Sequence, residues 1–176
     1  MHKQKVMLLV IILCGGIIVL GSYAWGIAAV SNADQILWGG VPDSIRMLSS
    51  VGMLPGAMGF FAYTYFILFC LNPDETRVFK KHGYKVFIAL YIAILFPSAL
   101  WMPLAALAVR NPGQYMDWLV RVDLVVVGLA SLLLLFTLLN TQPRQPLWAF
   151  RLSIIGCIFF CLQTVLMDAI LWGIYF

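Results

Sequence analysis

Apolar positions in this chain run in long blocks, with neither the strict alternation of a half-buried strand nor the narrow stripe of a surface helix. Five blocks, at roughly 6–30, 51–71, 84–109, 118–139 and 149–175, reach the about 20 apolar residues that a helix needs to cross a hydrocarbon core. The pattern predicts an all-α fold: an integral membrane bundle of five transmembrane helices, forming one domain over residues 1–176. The first block follows "MHKQK" and has the look of a signal peptide, but it runs on through "LLVIILCGGIIVLGSYAWGIAAV" without a small-x-small cleavage site. It reads as a retained first helix. Cys14 is preceded by Leu13, too bulky for a lipoprotein signal.

Composition agrees: 63% of residues are hydrophobic and 10% charged, with a mean hydropathy of +0.98. No stretch is left for a soluble domain. Lys3, Lys5, Arg77, Lys80, Lys81, Lys85, Arg144 and Arg151 fall on one side of the predicted bundle, and Arg46, Arg110 and Arg121 on the other. The positive-inside rule then predicts a cytoplasmic N-terminus and a C-terminus outside. The net charge of +4 is dispersed over helix ends, which argues against a nucleic-acid partner. The loop "DETRVFKKHGYK" is expected to touch anionic lipid headgroups.

Several chemistries drop out. Cys14, Cys70, Cys157 and Cys161 all lie in apolar runs, so a disulfide framework is not expected. Cys157 and Cys161 lack further metal ligands nearby, and His2 and His82 sit at the predicted cytoplasmic edge, away from any intramembrane haem. Neither a phosphate-binding glycine loop nor a Ser-His-Asp set occurs. No cofactor is expected.

What remains is a set of unusual residues within the spans. Gly52, Gly56, Gly59 and Tyr63 share one face of the second helix, as a helix-packing seam would. Ser153, Cys157, Cys161, Thr164, Asp168 and Trp172 form a polar stripe on the fifth, which should face the interior because an ionisable side chain in lipid costs at least a few kcal/mol. Asp123 lies near the start of the fourth. Asp117 precedes Arg121 by four residues, the order that favours a surface ion pair. In "FPSALWMPLAAL", Pro97 and Pro103 should bend the third helix and make room beside Trp101. Asp168, Asp123, Trp101 and the first glycines of the second helix then share the outer half, below the loop "SNADQILWGGVPDSIRMLSS", which is expected to act as a lid.

"SALWMP", with Ser98, Trp101 and Pro103, and "WLVRVDLVVVGLA", with Asp123, resemble the third and fourth helices of the TspO/translocator proteins, the tryptophan-rich sensory proteins. "LPGAMGFFAYTYFIL" echoes their second helix. Ser98 stands where that family carries Asn, Trp38 and Pro42 are the nearest match to its first loop, and Asp168 has no counterpart in its pattern. The resemblance implies a five-helix bundle with a pocket for a tetrapyrrole, a sterol or a similar lipophilic ring. It also implies Trp101 and Pro103 as wall and bend, with Ser98 and Asp123 as polar contacts.

The expected function is a membrane binding protein, sensor or carrier, for such a ring. Trp101, Tyr63 and Tyr91 would pack on its faces, Trp38 would lie over it, and Asp123 or Asp168 would bond its polar edge. Alternatives are a lipid-modifying isomerase that uses an intramembrane Asp, and an accessory subunit whose glycine seam meets a larger membrane complex or a second copy. A proton-coupled carrier is disfavoured, since the inner half offers no acidic partner. Whether any bond is made or broken is left open, and membrane lipids are partners under every reading.

Overall fold

The computed structural model describes residues 2–30 and 38–175. It has five helices long and apolar enough to cross a membrane, in keeping with a multi-pass membrane protein. These are α1 (Lys3–Ala29), α2 (Asp43–Tyr65), α3 (Lys85–Arg110), α4 (Gln114–Leu139) and α5 (Leu147–Cys161). Two of them do not end as α-helix. α2 closes in a π-helical turn, Phe66–Cys70, and α5 continues as an eleven-residue π-helix, Leu162–Trp172, before a last α-turn, Gly173–Tyr175.

α2 starts at Asp43, eight residues before the apolar block does. Pro42 holds extended backbone just ahead of it, and Asp43 meets the positive end of the helix dipole. Hydropathy misses such a polar first turn. The first connection is thereby shortened to residues 30–42; of the expected lid, residues 31–37 lie outside the described residues and 43–50 belong to α2. Pro97 and Pro103 sit inside α3, which nonetheless runs unbroken from Lys85 to Arg110.

Around the bundle the contacts run α1, α3, α4, α5, α2. Glycine decides how close α2 and α5 come. A Cβ on Gly59 would fall inside the Gly156 carbonyl, and one on Gly156 would meet the Gly59 backbone at 2.9 Å. The glycine seam is therefore spent within the chain. α1 is the peripheral helix: it rests on α3, with Gly26 against Met102 and Gly15 against Leu95, and nearly all its remaining surface is open.

At one end the two-residue strands β1 (Arg77–Val78) and β2 (Thr141–Gln142) pair antiparallel, joining the α2–α3 and α4–α5 connections. His2 lies at this ribbon end too, 3.3 Å from Asp74. The core divides by depth. In the ribbon half, Tyr63, Phe66, Tyr84, Phe87, Tyr91, Leu134 and Leu138 are almost wholly buried. In the far half, a smaller cluster gathers Val30, Val41, Met102, Ala105, Ala106, Val120, Leu124 and Trp172.

Candidate functional site

In the far half, three helices contribute one aromatic group. Tyr23 of α1 lies 5.2 Å from Trp101 of α3, centroid to centroid, and Trp101 lies 5.7 Å from Trp172 of α5. Successive rings are inclined at 44° and 74°, so they form an angled wall instead of a stack. The Trp101 Nε1 proton is buried with no acceptor. Trp101 and Tyr23 lie roughly 9–14 Å, at 1.5 Å per residue, from the far ends of their helices, within the depth of a hydrocarbon core.

Beside this wall runs a polar bridge. Gln163 Nε2 donates to Asp168 Oδ1 at 2.9 Å and reaches Ser49 Oγ of α2 at 3.5 Å. Gln163 Oε1 is buried without a donor, at the place where a Cβ on Gly52 would come within 2.7 Å of it. Tyr23 is within electrostatic reach of Asp168. The π winding makes the bridge. On an α-helix residues five apart point about 140° away from each other, whereas i→i+5 bonding brings them together.

The polar stripe on α5 does face inward: Ser153, Cys157, Cys161, Thr164 and Trp172 are buried, and Thr164 shares a 2.8 Å hydrogen bond with Ser131 of α4. Asp123, on the α4 face that carries Val120, Leu124 and Val127, is 9% exposed, and its Oδ2 is buried without a hydrogen-bond partner. Arg121 does not pair with Asp117. Its guanidinium lies 5.9 Å over the Trp118 ring instead, because its stem leans toward Gly173 at the end of α5. Among the described residues, neither Asp123 nor Asp168 has a Lys, Arg or His in ion-pair contact.

Trp38 belongs to the rim. Its turn is held on the end of α5 by Gly40 N–H donating to the Tyr175 carbonyl at 3.2 Å, and the Arg46 guanidinium lies 5.8 Å over its ring. Trp38 and Trp101 both pack against the far-half apolar cluster, to which the helices of Asp123 and Asp168 also contribute through Val120, Leu124 and Trp172. Pro103 is half-buried one residue after Met102, which fills the notch at Gly26. Ser98 turns its hydroxyl back to the Ile94 carbonyl at 2.7 Å. Tyr63 and Tyr91 lie in the ribbon half, in an aromatic cluster with Phe60 and Phe160, and the Tyr91 hydroxyl is engaged by Thr64 at 2.7 Å. They do not reach Trp101.

The space at the α3 prolines also differs from expectation. A cleft of about 350 Å³ lies between α1 and α3, lined by Ile11, Cys14, Ile18, Leu95, Phe96 and Leu100 among others. It flanks Pro97 on the lipid side and is not lined by Trp101 or either Asp. Beside the Trp101 indole stand the Tyr23 and Trp172 rings. A second cleft, about 290 Å³, opens at the ribbon end by His2, Lys5 and Asn72.

Tyr23, Ser49 and Gln163 are site residues that sequence reasoning missed. For Tyr23 a signal existed, since it sits about as deep in α1 as Trp101 does in α3. The fold and site define a helical membrane protein with a polar, aromatic centre inside one half of its bundle. Comparison with protein families, with curated proteins and with solved structures finds no match for this chain.

Proposed function

We propose that this protein is a membrane binding protein, a sensor or carrier, for a lipophilic ring compound held in the far half of the bundle. One observation carries the reading: Trp101 Nε1, Gln163 Oε1 and Asp123 Oδ2 are buried without partners in the half that also holds the angled aromatic wall. Lipid cannot satisfy such groups, and each costs about 1–3 kcal/mol while it is unpaired. A ligand with a polar edge supplies the missing partners, and its flat face suits the indoles. The resemblance of "SALWMP" and "WLVRVDLVVVGLA" to the tryptophan-rich sensory proteins nominates tetrapyrroles and sterols as first ligands to try. On the same reading, Trp38 and its turn close the rim.

The test is thermal unfolding of the purified full chain in detergent, with protoporphyrin or a sterol added. At a hundred times Kd, a ligand of the native state stabilises by about 2.7 kcal/mol, several degrees for a chain of this size. The shift should vanish in Trp101→Ala. If no ring lipid moves the midpoint, the reading is overturned.

A further inference from the structure

The site has two carboxylates and, among the described residues, no cation in ion-pair contact with them. Arg46 is occupied at the rim, bonding the Val41 carbonyl and lying over Trp38 with Asp43 at 3.9 Å. Arg110 donates to the Ala29 carbonyl at 2.8 Å, and Arg121 lies over Trp118. Asp168 keeps only an amide from Gln163, and Asp123 is more than nine-tenths buried with one oxygen unpartnered. Tyr23 is within electrostatic reach of Asp168. Its ring packs at an angle on Trp101, and Trp101 packs at an angle on Trp172, which follows Asp168 by four residues on the same π-helix. A carboxylate beside angled aromatic faces is the arrangement that recognises an ammonium group, by Coulomb attraction and by the ring quadrupoles together.

The apolar cleft gives the rest of the ligand a place. Ile18 of α1 and Leu100 of α3 line it, and farther along the same two helices Tyr23 of α1 packs on Trp101 of α3. The cleft and the Tyr23–Trp101 contact thus lie at successive levels between the same two helices. α1, which rests mainly on α3, is the helix freest to move aside for entry.

Resting on the binding function proposed above, we propose that the ligand is a cationic ring amphiphile. Its ammonium group sits at Asp168 among Tyr23, Trp101 and Trp172, and its apolar body lies along the α1–α3 cleft. Asp123 adds a second, more distant negative charge. A neutral sterol would bind through its apolar body alone and leave the carboxylates unanswered, and an anionic ring such as protoporphyrin would bind more weakly than a cationic one.

The experiment uses the full chain in nanodiscs of zwitterionic phosphatidylcholine, so that bulk membrane charge enriches no ligand. Three sterols of matched skeleton are titrated while tryptophan fluorescence is followed: one bearing a 3-amino group, the 3-hydroxy parent and a 3-hemisuccinate. The amine is expected to bind at least about tenfold more tightly than the other two. Asp168→Asn, which keeps an oxygen for the Gln163 amide, should reduce that preference to under about twofold with the parent sterol's affinity unchanged. Tyr23→Leu, which leaves every tryptophan in place, should weaken the amine more than the parent. Equal binding of all three sterols, or a preference that survives Asp168→Asn, overturns the cationic assignment and leaves the binding function standing. If none of the three binds, both fall.

Discussion

The two halves of the bundle solve the same problem differently. In the ribbon half, large side chains fill the interior and their polar atoms find partners: Tyr91 with Thr64, the Tyr84 hydroxyl with the Ile67 carbonyl, Ser153 with the Phe150 carbonyl. Among the described residues, only Gln4 Oε1 and Tyr63 Oη are left over there. In the far half, alanines replace the large residues, and buried atoms of Arg46, Trp101, Arg121, Asp123 and Gln163 lack partners. Water does not reach such groups inside a membrane, so their expense is kept only where something else repays it. The ribbon half is packed and its polar atoms are largely paired, whereas the far half keeps unpaired buried polar atoms, the feature on which the proposed ligand binding rests.

The sharpest way to break this contrast is to put the same methyl group on two glycines of α2. Gly59→Ala drives a Cβ into the Gly156 backbone, which has no room to give, and should lower stability by about 3 kcal/mol. Gly52→Ala meets only the far end of the Gln163 side chain and should cost under about 0.5 kcal/mol. Unfolding midpoints in detergent decide it, and equal losses would erase the distinction.

Next in size is a paired loss of polar atoms. Tyr91→Phe strands the buried Thr64 hydroxyl and should cost about 1–2 kcal/mol. Trp101→Phe removes an N–H that had no partner, so stability should stay within about 0.5 kcal/mol while ring-ligand affinity falls. A stability loss in Trp101→Phe as large as that in Tyr91→Phe would mean that the indole is structural.

The smallest effect has the opposite sign. Asp123→Leu replaces a buried, partly unsatisfied carboxylate by an apolar side chain of similar volume and should stabilise the ligand-free protein by about 1 kcal/mol. The same substitution should weaken the amino-sterol titration. A destabilised Asp123→Leu would show that the carboxylate serves the fold.

The sites of these substitutions were unequally legible. Asp123, Asp168 and Trp101 stood out because charges and large aromatics are rare inside apolar blocks, and each comes to the far half. Tyr63 and Tyr91 looked equally suitable as ligand walls, yet depth along the helix puts them in the other core. Gln163 was hidden because α-helical periodicity turns it away from Asp168, and only the π winding of Leu162–Trp172 joins them. The start of α2 was hidden because its first turns are polar.

Block length and apolar content determined, from sequence alone, that five helices are long and apolar enough to cross a membrane, since spanning requires little more than enough consecutive carbon to match the hydrocarbon. Which side chains meet was decided by the tertiary structure. Helix order, the Gly59–Gly156 approach and the π segment of α5 all depend on backbone contacts between distant parts of the chain. No single helix carries that information in its own pattern, because the same apolar face can pack equally well on several neighbours.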